Sequence, residues 1–143
     1  MHHIPDQIAL RLGYLNILQG IINRLAGSAS TMKAGNVAVM TALLACSLGE
    51  QVQFHWALFI VPGALFMVFH AYFLQQERAF IALYNHAADQ PLAETLGLRI
   101  DVARLSRMRE PLWTVLCRPA VLAFHSALVA ACIVIVLAAR GQC

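Results

Sequence analysis

The chain has 143 residues, 60% of them hydrophobic and 12% charged, with a formal net charge of +3. That length allows one small domain, and the composition is too apolar for an ordinary soluble one. Ten basic residues against seven acidic ones are no nucleic-acid signal, and no direct nucleic-acid contact is expected.

Met1–Leu12 lacks a basic start followed by an apolar core, so no cleavable signal peptide is expected. From Ile4 to Ala26 apolar residues recur at Ile4, Ile8, Leu12, Leu15, Leu18, Ile22 and Leu25, a helical stripe. Pro5 sits early, where a helix tolerates it. This N-terminal amphipathic helix, assigned to residues 1–33, either lies on a membrane surface or packs on neighbouring helices. Gly13, Gly20, Gly27 and Ala34 fall seven apart. A helical glycine costs about 1 kcal/mol relative to alanine, so this register marks close helix packing at an oligomer interface or is a coincidence of a Gly- and Ala-rich chain. The run Gly27-Ser28-Ala29-Ser30 either packs in the same way or breaks the helix.

Three apolar stretches follow: Gly35–Leu48, Phe54–Leu74 and Pro119–Ala139. A bilayer core of about 30 Å needs ~20 helical residues. The second and third stretches meet that, and Ser28–Ala34 can extend the first. Cytoplasmic segments retain Lys and Arg. Arg11, Arg24 and Lys33 precede the first stretch, and Arg78, Arg99, Arg104, Arg107, Arg109 and Arg118 lie between the second and third. Nine of the ten basic residues therefore fall on one side, with Arg140 alone on the other.

The expected fold is an all-α integral membrane protein. It has a cytoplasmic helix over 1–33, a transmembrane hairpin over 34–74, a cytoplasmic segment over 75–118, a third transmembrane helix over 119–139 and an external tail over 140–143. Within the second span, Pro62 and Gly63 either shape the helix or form a hinge. The helix continues past the span through Gln75–Tyr84 and ends at Asp89–Pro91. Residues 98–102 alternate like a strand, yet Leu98, Val102, Leu105, Met108 and Leu112 form a helical stripe, which is preferred. Pro111 and Trp113 mark the return to the membrane.

No catalytic constellation is present, and no phosphate loop, zinc spacing or nucleophile motif. No enzyme activity, cofactor or metal is expected. Cys46, Cys117 and Cys132 read as apolar filler, and Cys143 has no evident role. The informative polar residues are inside the apolar stretches: Asn36, His70 and His125, all within ~10 Å of the cytoplasmic face by helical rise. Such groups hydrogen-bond between helices or line a wet path, and both readings stand at this point. A small ion-coupled transporter using His70 and His125 is a further option.

Two blocks carry a resemblance. Leu18-Gln19-Gly20-Ile21-Ile22-Asn23-Arg24-Leu25-Ala26 through Lys33 resembles the pattern Q-x-I-I-x-R-[ML]-A-x-x-[SA]-x-x-x-K of a group of small bacterial membrane proteins. Ala71-Tyr72-Phe73-Leu74-Gln75-Gln76-Glu77-Arg78-Ala79-Phe80, with Leu83-Tyr84, resembles that group's [DA]-x-Y-x-L-x-x-E-R-x-F-x-x-L-Y. With their flanking spans the blocks cover about the first 87 residues. His70 stands where the group usually has an acid.

The group is similar to RipA-type octameric membrane proteins, to the membrane accessory proteins of type VI-B CRISPR loci and to small antiviral membrane effectors. The resemblance implies a homo-oligomeric ring, an octamer if the RipA pattern carries over, in the bacterial inner membrane, with the C-terminal tail periplasmic. It implies a channel or pore that depolarises that membrane in antiviral defence, alongside a soluble defence effector as partner. It also implies a cytoplasmic collar of Asn23, Arg24, Lys33, Glu77 and Arg78 linking the N-terminal helix to the second span, within or between subunits. The alternative is a membrane scaffold that docks a soluble partner through residues 1–33 and 75–118 without conducting ions.

Overall fold

The computed structural model describes residues 4–49, 55–91 and 99–141. The parts of the expected segments at residues 1–3, 50–54, 92–98 and 142–143, Leu98 and Cys143 among them, lie outside these ranges. Among the described residues 88% are helical and none lies in a strand. The elements are α1 (Ile4–Ser47), α2 (Ala57–Asp89), α3 (Val102–Met108), α4 (Leu112–Leu116) and α5 (Pro119–Arg140).

The first helix crosses the expected division at residue 33. It runs 44 residues without a break, about 66 Å, so the amphipathic segment and the first apolar stretch are one rod. Asp6 in its first turn complements the helix dipole. The hydroxyls of the Gly27–Ser30 region do not interrupt it, because they bond back to their own helix. Ser28 Oγ donates to the Arg24 carbonyl and Thr31 Oγ1 to the Gly27 carbonyl, each at 3.0 Å.

Only half of the N-terminal stripe is used as expected. Leu18 and Ile22 are buried, together with Tyr14, which the stripe had missed, whereas Ile4, Ile8 and Leu12 are exposed. The partner helix explains this: α2 ends at Asp89, and the Arg11 guanidinium already reaches the carbonyl of Ala88. The first turns of α1 therefore run past the end of α2.

α1 and α2 are antiparallel, and α5 runs parallel to α1. Asn36 meets His125 and Arg140 meets the Ser47 carbonyl, offsets of 89 and 93 residues. The guanidinium of Arg140 supplies the positive charge that the last turn of α1 lacks. Three apolar clusters hold the bundle. One, around Tyr14, Leu18, Ala79, Leu83, Ala87 and Leu105, joins α1, α2 and α3. Another, around Met40, Phe59, Cys132 and Val136, joins α1, α2 and α5. The third, around Ala71, Val115 and Val121, joins α2, α4 and α5.

α2 and α5 are long and apolar enough to cross a membrane. Their most apolar windows have mean hydropathies of 2.0 and 2.6, and only 22% of each window is buried. A core helix of a soluble domain is mostly covered by its own chain, and these two are not. Their outward faces carry Leu58, Val61, Leu65, Phe69, Leu122, Val134, Ile135 and Leu137, each between 40% and 65% exposed.

The expected helix from residue 98 begins instead at Val102. Arg99–Asp101 is non-helical, and Asp101 caps α3 by accepting the Arg104 amide at 3.0 Å. α2 stops where Gln90 turns extended before Pro91. α5 starts with Pro119 in its first turn.

Candidate functional site

Asn36 on α1, His70 on α2 and His125 on α5 are brought together at one depth of the bundle. They form a continuous hydrogen-bonded chain. Asn36 Nδ2 lies 2.7 Å from His125 Nδ1, and His125 Nε2 lies 3.1 Å from His70 Nδ1. All three residues are at most 2% exposed. The amide fixes the tautomers. With Asn36 donating, His125 keeps its proton on Nε2 and donates it to His70, whose own proton is then on Nε2. In this arrangement Asn36 Oδ1 is buried without a partner.

Such a chain joins all three long helices through groups that are costly to bury unpaired. Its neighbours are aromatic and apolar. The Phe124 ring stands edge-on to His125 with centroids 5.1 Å apart, and Lys33 Nζ sits 5.8 Å from the Phe124 centroid. An apolar furrow of about 310 Å³ runs beside His125 between α2 and α5, lined by Gly63, Ala64, Met67, Ser126 and Val129 among others. The triad is buried between the helices of one chain, and His125 also lines this furrow.

Gly63, expected as part of a hinge with Pro62, has a packing role. A Cβ there would lie 2.6 Å from Val129 Cγ2 and 2.9 Å from Met40 Cε, so both α1 and α5 approach at this point. Pro62 lies in the second turn of α2, since the helix starts at Ala57, and α2 continues through it. Gly35 similarly admits the Phe66 ring, whose Cε1 would be 3.0 Å from an added Cβ.

The heptad residues do the opposite. Gly20, Gly27 and Ala34 are exposed and Gly13 is half-buried. Nothing lies within 4 Å of a Cβ built on Gly20 or Gly27. Among the described residues Gly20 and Gly27 form no interface within the chain. They lie on the side of α1 opposite its buried residues, in a line with Asn23, Thr31, Ala38, Thr41 and Ala45, all exposed. Those residues are no larger than asparagine, and the exposed Arg24 flanks the line between Gly20 and Gly27.

Within one protomer the residues of the expected collar have other partners. Asn23 accepts from Gln19 within α1 at 3.1 Å, Lys33 stands over Phe124, and Arg78 turns to Glu110 rather than to α1, at 3.0 Å. No salt bridge of Arg24 or Glu77 is formed among the described residues. Glu110, which sequence reasoning passed over, is the organising acid. It also pairs with Arg118 at 2.7 Å, and its carbonyl accepts from Gln75 Nε2 at 2.5 Å. The Arg118 bond foremost, and then Arg78, hold the Glu110 carboxyl below the ordinary carboxylate range. The available signal was composition: Asp101 and Glu110 are the only acids among five arginines between Arg99 and Arg118.

At the far end of α2, Arg104 bonds His86, and the Arg104 amide holds the Asp101 carboxyl low. Burial raises the Tyr14 hydroxyl, with Asp101 adding to the effect.

Among the described residues no group of three or more His, Cys, Asp or Glu is placed to hold a metal ion. Comparison of the chain with protein-family models, with curated proteins and with solved structures found no match.

Proposed function

We propose that the chain is a three-span protein of the bacterial inner membrane that assembles through the outward face of α1 into a homo-oligomeric ring. This ring is a pore-type effector that permeabilises or depolarises the membrane, in antiviral defence. The N-terminus is cytoplasmic and the C-terminus periplasmic, by the bias of nine basic residues to one end. The three-span reading is supported by the depth of α1. It is tied to α2 and α5 at Asn36, at Met40 and again at Ser47, so wherever those helices lie in lipid, the Gly35–Ser47 part of α1 lies beside them.

The observation that carries the assembly is the small-residue line on α1. Two exposed glycines weaken the helix by about 1 kcal/mol each, and inside the protomer nothing approaches them. Membrane helices use such residues where another helix comes close. In a ring, the same line of alanine, glycine and threonine would border the central space, because one bundle encloses no path of its own.

The test is native mass spectrometry of the wild type beside Gly27→Leu/Ala34→Leu, followed by ion flux through liposomes. A closed wild-type ring that conducts, and a variant that falls apart while keeping its helicity, are the expected results. Wild type that stays monomeric in mild detergent and in nanodiscs ends the proposal.

One feature favours the second reading, a non-conducting scaffold. The α1–α2 hairpin continues about 20 Å beyond Leu74 with its own apolar cluster and with α3 against it, a surface suited to a soluble partner. A ring without flux, whose phenotype needs a neighbouring soluble protein, would select it.

A further inference from the structure

We infer that the junction of α3, α4 and α5 is a recognition site for anionic phospholipid headgroups, built from Arg107, Arg109 and Trp113. The inference rests on α2 and α5 spanning the bilayer; it does not need the ring.

Charge accounting comes first. Of the arginines between residues 99 and 118, Arg118 is taken by Glu110 and Arg104 by Asp101. Glu110 also takes Arg78 from α2. Both acids of the segment are therefore consumed, and Arg99, Arg107 and Arg109 remain exposed and outside any ion pair among the described residues.

Depth comes second. The Glu110 carbonyl is held by Gln75, the residue directly after the apolar stretch of α2, so Arg109 stands at the edge of the bilayer core. Trp113 follows on α4. Val115 is buried, and Leu112 and Leu116 pack on Ala71 and Val121, which turns the Trp113 indole outward, 68% exposed. Tryptophan at the headgroup level is the usual interfacial anchor.

Met108, next to Arg107, lines a groove with Ile81 and Asn85. That places Arg107 about 10 Å beyond Leu74 by helical rise, within a Debye length of about 8–10 Å of the headgroups. Arg99 is different. Arg104 already reaches His86, so the start of α3 lies nearly 20 Å out, where a surface charge is screened.

An arginine near an anionic leaflet strengthens attachment about five-fold. Two arginines flanking an indole, one at the edge of the bilayer core and one about 10 Å further out, fit a lipid phosphodiester with a net negative headgroup better than they fit a zwitterionic one, whose ammonium repels them.

The experiment uses the full chain carrying Trp56→Phe, so that Trp113 is the sole indole, in vesicles of phosphatidylcholine and phosphatidylglycerol at a fixed ratio. In one preparation the phosphatidylglycerol carries brominated acyl chains, in the other the phosphatidylcholine does. Bromine quenches an adjacent indole. The expected result is a preference for phosphatidylglycerol around Trp113 of about five-fold or more, lost in Arg107→Gln/Arg109→Gln and kept in Arg99→Gln.

Equal quenching by the two lipids overturns the inference and leaves these arginines to a soluble partner. A preference that survives the double variant, or that Arg99→Gln removes as fully, also overturns it. No quenching by either lipid would strike the spanning reading itself, a separate and recognisable failure.

Discussion

The outward face of α1 and the outward faces of α2 and α5 lie on one bundle but are built from different residues. α2 presents Leu58, Val61, Leu65 and Phe69, and α5 presents Leu122, Val134, Ile135 and Leu137 together with small residues such as Ala123, Ser126, Ala127 and Ala131. α1 presents Gly20, Asn23, Gly27, Thr31, Ala34, Ala38, Thr41 and Ala45. Bulky branched side chains gain dispersion contacts with mobile acyl chains at no need for a fixed partner. Small ones gain little from lipid and much from a second backbone brought near. The contrast teaches that exposure alone does not define a lipid-facing surface, and that residue size separates the bulky outward face of α2 from the small-residue line of α1.

The largest expected effect breaks the contrast on the α1 side. Ala38→Leu fills the small line at membrane depth, and analytical ultracentrifugation in detergent should show the assembly reduced to protomers with unchanged circular dichroism. The matching change on α5, Val134→Leu, should leave assembly untouched.

Next comes the inward side of α2. Gly63→Leu forces atoms into Val129 and Met40, and should destabilise the protomer by about 3 kcal/mol, read as a lowered thermal midpoint. A glycine pointing inward and a glycine pointing outward thus respond on different axes, stability for Gly63 and assembly for Gly27.

Asn36→Leu removes one end of the hydrogen-bonded chain and leaves His125 Nδ1 buried and unpaired. A loss of about 1–2 kcal/mol is expected, with His125→Leu costing more because it also strands His70 and Asn36.

A smaller effect belongs to the α3–α4 segment. Glu110 and Asp101 have folded values depressed by their donors. Their contribution is therefore present above the unfolded carboxylate value of about 4 and is lost as pH falls through the folded values. Below roughly pH 4 the segment should exchange amide hydrogens faster while the α1–α2–α5 core does not. Since these pairs are partly exposed, Glu110→Gln should cost under 1 kcal/mol. Least of all, Leu65→Ala on the outer face of α2 should move protomer stability by less than about 0.5 kcal/mol.

Much of the helix content was legible because apolar runs of this length and low charge admit few alternatives. The same is true of the end of α2, where Pro91 follows. Asn36, His70 and His125 could be placed at one level from helical rise alone, since each is counted inward from the edge of its own apolar stretch that lies on the side rich in Lys and Arg. The pairing of Arg78 with Glu110 was not legible, because 32 residues separate them and a run of arginines offers several equal partners. Nor was the unbroken course of α1 past Gly27: a glycine–serine run breaks a helix in water, whereas here the hydroxyls bond to the preceding turn and Ala29 is buried on the shared face.

The sequence by itself determined which segments are helical and apolar and on which end the positive charge gathers, because these follow from local composition and period. Only the tertiary structure decided which glycine meets a neighbour and which faces outward, which acid gathers the arginines, and that Asn36, His125 and His70 form one chain. Those outcomes depend on the rotation of each helix about its axis, and that rotation is set by contacts between residues distant in sequence.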